Sequence, residues 1–285
     1  MPEPDARLGI NFDANKLFYA VSRPSLPGVL SRVGFVDFAF DLVQSISTQD
    51  TDTFPGVCDT VAGLVRDYEV SDIRLVLPPS FECWSIIPKS VHDENEEREA
   101  HLNILMQGTD PDNTKRIWHS LSNRDFKLVS IRRHEHIETI SSLMGNVPSG
   151  TIYSDFEIGN HWMEHSQYRG SFLSISSYNG VISVSSYLLG TLRAATYFTY
   201  DDIRDLPYFW LQYASHLPWI EGLHEYVIVF GDHSGKIVET LKAFWDDSSE
   251  IMVMNSFEKA KMQSGEESFS FSLERAFPAM LLSVS

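Results

Sequence analysis

His161, Glu164 and His165 place two imidazoles four residues apart with a carboxylate between them. On a helix this spacing puts both rings on one face, where they could hold zinc with Glu164 as general base. The pattern is short, and no acidic helix downstream offers a third ligand. The same residues also read as a surface helix that happens to carry two histidines. His134 and His136 read as a strand-to-helix junction. Cys58 and Cys83 lack metal-ligand spacing and read as small buried hydrophobes.

Three polar loops form a second set of candidates. Asn11, Asp13, Asn15 and Lys16 lie at a tight turn and could hold a phosphate or an ion. Asn and Asp also close such turns on their own backbone. Ser176, Ser177, Asn179 and Gly180 surround an Asn-Gly hairpin turn. Gly231, Asp232, Ser234 and Gly235 sit between a strand and a helix, where a helix N-terminus can receive an anion. Ser234 or Asp232 could equally serve as a plain helix cap. No Ser-His-Asp set, Walker loop or dinucleotide fingerprint is visible.

The charge balance narrows the function classes. The 285 residues hold 22 basic and 39 acidic side chains, a net charge of −17. That field repels nucleic-acid backbones and anionic membrane surfaces. Hydrophobic residues make up 43% and charged residues 21%, which fits an ordinary globular chain rather than a disordered one. The first seven residues are acidic and proline-bearing, unlike a secretory leader. No apolar run reaches the length of a membrane span. A reducing, cytoplasmic setting is the expectation.

The elements that would position these groups follow from periodicity and turn chemistry. Residues 8–13, 17–21 and 29–40 read as three strands joined by turns. Val57, Val61, Leu64 and Val65 predict a helix over 53–68. Residues 72–77 read as a strand ended by Pro78 and Pro79. A strand over 82–87, a helix over 92–106, a hairpin over 115–121 and 126–132, and a helix over 135–144 follow. The acidic first half of the 92–106 helix complements the helix dipole. Residues 145–150 are polar with Gly and Pro, and mark the expected joint.

The second half repeats this order. Strands are predicted over 171–177, 181–188 and 191–199, then a helix over 201–215. A strand over 226–230, a helix over 234–244, a strand over 250–253 and a last helix over 273–282 complete the chain. Tyr200, Tyr208, Phe209, Trp210, Tyr213 and Trp219 make the middle of this half aromatic, as suits either a core helix or a partner surface. Three hairpin-connected strands, a helix and a strand thus occur twice. The expected domains are 1–148, with an inserted subdomain at about 80–133, and 149–285.

Three stretches carry a family resemblance. Residues 8–16 (Leu-Gly-Ile-Asn-Phe-Asp-Ala-Asn-Lys) sit where the actin-like ATPase superfamily has its first phosphate loop. Residues 172–182 sit where it has the second, and residues 227–235 resemble its adenosine segment. Within that superfamily the chain resembles the PilM-type pilus assembly proteins, to which Leu77, Pro78, Pro79, Ser80, Phe81 and Glu82, then Ile87, Pro88 and the acidic helix, are also similar. The resemblance implies an α/β, ribonuclease H-like, duplicated two-lobed fold with mixed sheets flanked by helices. It implies that Asn11, Asp13, Asn15, Lys16, Ser176, Ser177, Asn179, Gly231, Asp232, Ser234 and Gly235 face a cleft for ATP and magnesium.

The departures bear on chemistry. A family phosphate loop reads Asp-x-Gly, because glycine lets backbone N–H groups approach phosphate and the aspartate organises the metal. Here Phe12 stands at the glycine position and Asn11 before it, and Ser176, Ser177 and Tyr178 replace the second loop. The expectation is a non-catalytic pseudo-ATPase, with Phe12 blocking the phosphates and no required cofactor. It would act through protein partners as a cytoplasmic adaptor of a membrane-associated assembly, without nucleic acid and without inserting into the membrane. A divergent ATP-binding ATPase is the alternative, and a zinc hydrolase a third.

Overall fold

Turn chemistry sets the first sheet. The turn at Ala14 and Asn15 joins β1 (Ala6–Asp13) to β2 (Lys16–Ser22), and β3 (Val29–Asp37) completes an antiparallel meander. Helices α1 (Leu42–Thr48) and α2 (Phe54–Tyr68) lead to β4 (Val70–Leu77), which pairs parallel to β1. The chain then leaves this sheet. It forms β5 (Glu82–Pro88), α3 (Lys89–Asp93), α4 (Asn95–Leu105), β6 (Thr114–Ser120) and β7 (Phe126–Arg133), with a separate three-stranded sheet in the order β5-β7-β6. Helix α5 (His134–Met144) returns it to β8 (Ser149–Ser154), parallel to β4. The computed structural model describes residues 5–106, 110–145, 147–217, 219–220, 222, 224–255, 261–262 and 272–285.

The second lobe begins after α6 (Ile158–Ser166). Strands β9 (Phe172–Tyr178), β10 (Val181–Leu188) and β11 (Thr191–Thr199) form another meander. Helix α7 (Leu206–His216) precedes β12 (Tyr226–Gly231), which pairs parallel to β9. Helix α8 (Ser234–Leu241) and β13 (Glu250–Val253) follow. Strand β14 (Lys261–Met262) pairs with β3 of the first sheet, and α9 (Leu273–Val284) ends the chain. The sheet orders are β14-β3-β2-β1-β4-β8 and β11-β10-β9-β12-β13. Apart from the short edge strand β14 they match strand for strand, so the expected duplication is present. Among the described residues no helix is long and apolar enough to cross a membrane, which says nothing of β-barrels.

Three details differ from the sequence reading. Residues 38–40 leave the third strand, and Asp41 Oδ1 accepts from Gln44 N at 2.9 Å to cap the unexpected α1. The single helix expected over 92–106 is two, because Glu94 adopts an extended backbone between them. The expected boundary at 148/149 falls ahead of β8, yet β8 is the edge strand of the first sheet, beside β4. Its Ser-Gly start reads as a joint, but parallel pairing to β4 sets its place. The C-terminal helix also returns to the first lobe, against β1 and β2.

Helix α9 is the common wall. Residues Ala276 to Ser283 are all buried, as befits a helix enclosed on every side. Its side chains share one core with Phe18 and Ala20 of the first lobe and with Ile228 and Phe230 of the second. A separate core lies on the far face of the first sheet, under α1, α2 and α5. Another lies on the far face of the second sheet, under α7 and α8, and takes in Trp210 and Trp245.

Candidate functional site

Alternation along β1 decides what reaches the space between the lobes. Leu8, Ile10 and Phe12 point to the outer core with α1 and α2. Gly9, Asn11 and Asp13 take the opposite face, against α9. Phe12 is 2% exposed and lies in that outer core. It therefore does not block the cleft, contrary to the expectation from the sequence. It belongs to the strand, not to a loop.

Asn11 is buried and bonds α9 twice. Its Nδ2 donates to Arg275 O at 3.0 Å, and its Oδ1 accepts from Ala279 N at 3.3 Å. These two backbone groups are four residues apart, the pair that an unbroken helix joins directly. Pro278 lies between them and has no N–H of its own. The Asn11 amide spans the two ends of that rung, next to the Glu274 carbonyl whose helical donor Pro278 lacks.

Asp13 meets a cation from the same helix. Its Oδ1 accepts from Ala14 N at 2.8 Å, and its Oδ2 accepts from Arg275 Nε at 3.1 Å and from Arg275 Nη2. Arg275 Nε also lies 3.8 Å from Asp232 Oδ1, across the cleft. The guanidinium sits over the Phe18 ring at 5.3 Å, and Tyr178 OH donates to Arg275 O at 3.2 Å. Burial works against the Arg275 charge, but Asp13 and then Asp232 outweigh it and hold its pKa above the ordinary value. Burial, then Asp155 and Asp13, push the Tyr178 phenol well up, so it acts as a donor. An arginine in the first turn of a helix opposes the helix dipole. The two carboxylates explain why it stands there.

The remaining candidates separate into those near this cluster and those away from it. Asp232 N donates to Ser177 O at 2.6 Å, and Ser177 shares a 2.9 Å hydrogen bond with Tyr200 OH. Gly231 has φ of +93°, and a Cβ there would lie 2.2 Å from Ser177 O, so only glycine lets β12 approach β9 this closely. Ser234 Oγ donates to Gly231 O at 2.8 Å. Asn15 and Lys16 turn away to Asp37, Lys16 Nζ at 2.5 Å. Asn179 and Gly235 are exposed. Ser176 Oγ points beneath the sheet to Asp155 Oδ2 at 2.5 Å. A cavity of about 330 Å³ beside Asp232 is lined by Gly180, Tyr200, Asp201, Asp202 and Lys236. Arg275 was missed in the sequence, where its only signal is a cation at a helix start.

Asp155 is fully buried, and burial pushes its pKa up to about 6, against hydrogen bonds from Ser176 and Ser183. The native state therefore holds this proton at pH values where the unfolded chain has lost it. Stability is expected to fall as pH rises from about 4 to about 6, by on the order of 2–3 kcal/mol, and then level off. Asp155→Asn should remove that slope. Urea midpoints of the two proteins across this window check it, and parallel curves would refute the assignment.

The His161, Glu164 and His165 pattern lies on α6. Burial, then Arg74 and Arg7, lower the His161 pKa to about 4, and its ring stands edge-on to Tyr153. Glu164 is exposed. Among the described residues no group of three His, Cys, Asp or Glu side chains is placed to hold a metal. On α7, Trp210 is buried, whereas Tyr208 and Leu211 face solvent, so the helix has both a core face and an open one.

No protein-family model matches the chain, and no curated protein does. Solved structures do. The PilM–PilN type IV pilus biogenesis complex is similar with a TM-score of 0.65 at 11% identity, over 99% of this chain and 98% of that one. A Bacteroides thetaiotaomicron protein with actin-like ATPase fold and unknown function is similar with a TM-score of 0.53 at 13% identity, over 88% of this chain and 91% of that one. Magnesium and ATP are what the fold implies, and the residues here do not fit them. Asn11 is engaged by α9, Asp13 is neutralised by Arg275, and the first turn has no glycine for a phosphate to approach. Duplicated strand order, the shared wall of α9 and these likenesses lead to one conclusion, that the chain has the actin-like ATPase fold.

Proposed function

We propose that this chain is a non-catalytic, PilM-like pseudo-ATPase that works through protein–protein contacts, as a cytoplasmic adaptor of a membrane-associated assembly. One observation carries the reading. The loops that would cradle a metal nucleotide converge instead on the chain's own cation, Arg275, which joins Asp13 of one lobe to the neighbourhood of Asp232 in the other. A guanidinium there supplies the positive charge that a bound metal would bring, and it leaves with neither phosphate nor product. The lobes are then held in one relation without a nucleotide cycle. The structural likeness to a PilM–PilN complex supports the partner class.

Nucleotide binding is the second reading, favoured by the cavity beside Asp232 and Lys236. A thermal-shift titration with magnesium and ATP separates the two. A ligand of Kd about 10 µM at about 1 mM adds about 2.7 kcal/mol to the folded state. For a chain of this size that is a rise in Tm of roughly 5 °C or more. The adaptor reading expects no rise, and a saturable rise would sink it.

A further inference from the structure

The second sheet makes the same tight turn twice with different residues. Between β9 and β10, Asn179 and Gly180 have φ of +52° and +73°. Between β10 and β11, Leu189 and Gly190 have φ of +50° and +80°. Asparagine enters the left-handed region readily, and leucine does so against its Cβ. Leu189 is also 78% exposed, with Leu188 beside it 37% exposed. The position is unfavourable twice, in backbone and in solvation. Folding does not demand it, since Asn-Gly makes the neighbouring turn.

A cavity of about 430 Å³ opens next to this tip. Its lining is mostly polar, with Ser120, Asn160, Glu164 and Arg169, and the edges of Phe156 and Leu192 supply a smaller apolar part. The Arg169 side chain lies across Gly190. Among the described residues no carboxylate pairs with Arg169, although the chain has 39 acidic side chains.

We propose that the Leu188–Leu189 tip and this cavity dock a protein segment carrying an apolar side chain next to a carboxylate. Leu189 supplies the apolar contact and Arg169 receives the carboxylate. Local charge selects this occupant over a bilayer: one guanidinium at Arg169 matches a single carboxylate, whereas an extended anionic lipid surface would meet the net charge of −17 as a whole. Glu164 on the α6 side disfavours a second carboxylate there, which orients the segment. The proposal rests on the adaptor reading for its partner class and adds the surface.

Short random peptides displayed on phage, selected against the intact wild-type chain, L189N and R169E, test it. Wild type should enrich peptides with Asp or Glu beside Leu, Ile or Phe. By fluorescence anisotropy the selected peptides should bind L189N at least about tenfold more weakly. R169E should select Lys or Arg in place of the acid. L189N should raise Tm by about 2 °C, because asparagine relieves the turn, so lost binding is not lost folding. No enrichment, or peptides that bind both variants like wild type, overturns the proposal. Leu189-dependent sedimentation with phosphatidylserine vesicles also overturns it, in favour of a lipid occupant. Saturable ATP binding would remove the adaptor reading and leave these peptide results standing.

Discussion

Gly9→Ala is expected to destabilise the protein by about 3 kcal/mol or more, one of the two largest effects of a single substitution proposed for this chain. A Cβ at position 9 would lie 1.9 Å from Ala279 O and 3.0 Å from Ser283 N. Both are backbone atoms of a helix enclosed by two lobes, so no rotamer change relieves the overlap. Helix α9 must lift from β1, and the Asn11 and Asp13 bonds to it loosen together. Urea denaturation gives the size, and early proteolysis near residue 272 would show where the loss begins. Gly56→Ala serves as the control, since nothing lies within 4 Å of the added carbon. A Gly9→Ala midpoint within error of wild type would refute the packing described for α9.

Arg132→Met is expected to cost about 3–5 kcal/mol for an electrostatic reason. The Glu82 side chain is 0% exposed, and Arg132 Nε donates to its Oε2 at 2.9 Å. Ser154 Oγ donates to the same oxygen at 2.9 Å and also receives Arg132 Nη2. Among the described residues Glu82 Oε1 has no hydrogen-bond partner. Without the guanidinium, a buried carboxylate would stand nearly alone where β5, β7 and β8 meet. Glu82→Gln with Arg132→Met should recover much of the loss, because it removes the charge as well. Guanidinium chloride would screen the pair, so urea midpoints are the measure. A single variant as stable as the double variant would contradict this account.

The strand order of both lobes was legible because its signals are local. Asn179-Gly180 announces one turn, and alternation announces the strands on either side. Helix α1 was not legible, since seven residues with three apolar positions hardly establish a period. Phe12 could have been placed correctly. It shares the alternation of Leu8 and Ile10, which sets it on the outer face of β1 and away from the cleft. Arg275 could not, because its partner Asp13 is 262 positions away in the chain. The Glu82–Arg132 pair has the same character, being two ordinary charges until β5 and β7 come together.

The amide of Asn11 has a mechanical meaning. It grips α9 at Arg275 O and at Ala279 N, on either side of the proline, so the helix cannot screw forward or back along β1 without releasing both. Sliding along the strand is therefore opposed by both bonds at once. The last helix of the chain is thereby keyed lengthwise to its first strand, as a bolt is kept in place by its detent.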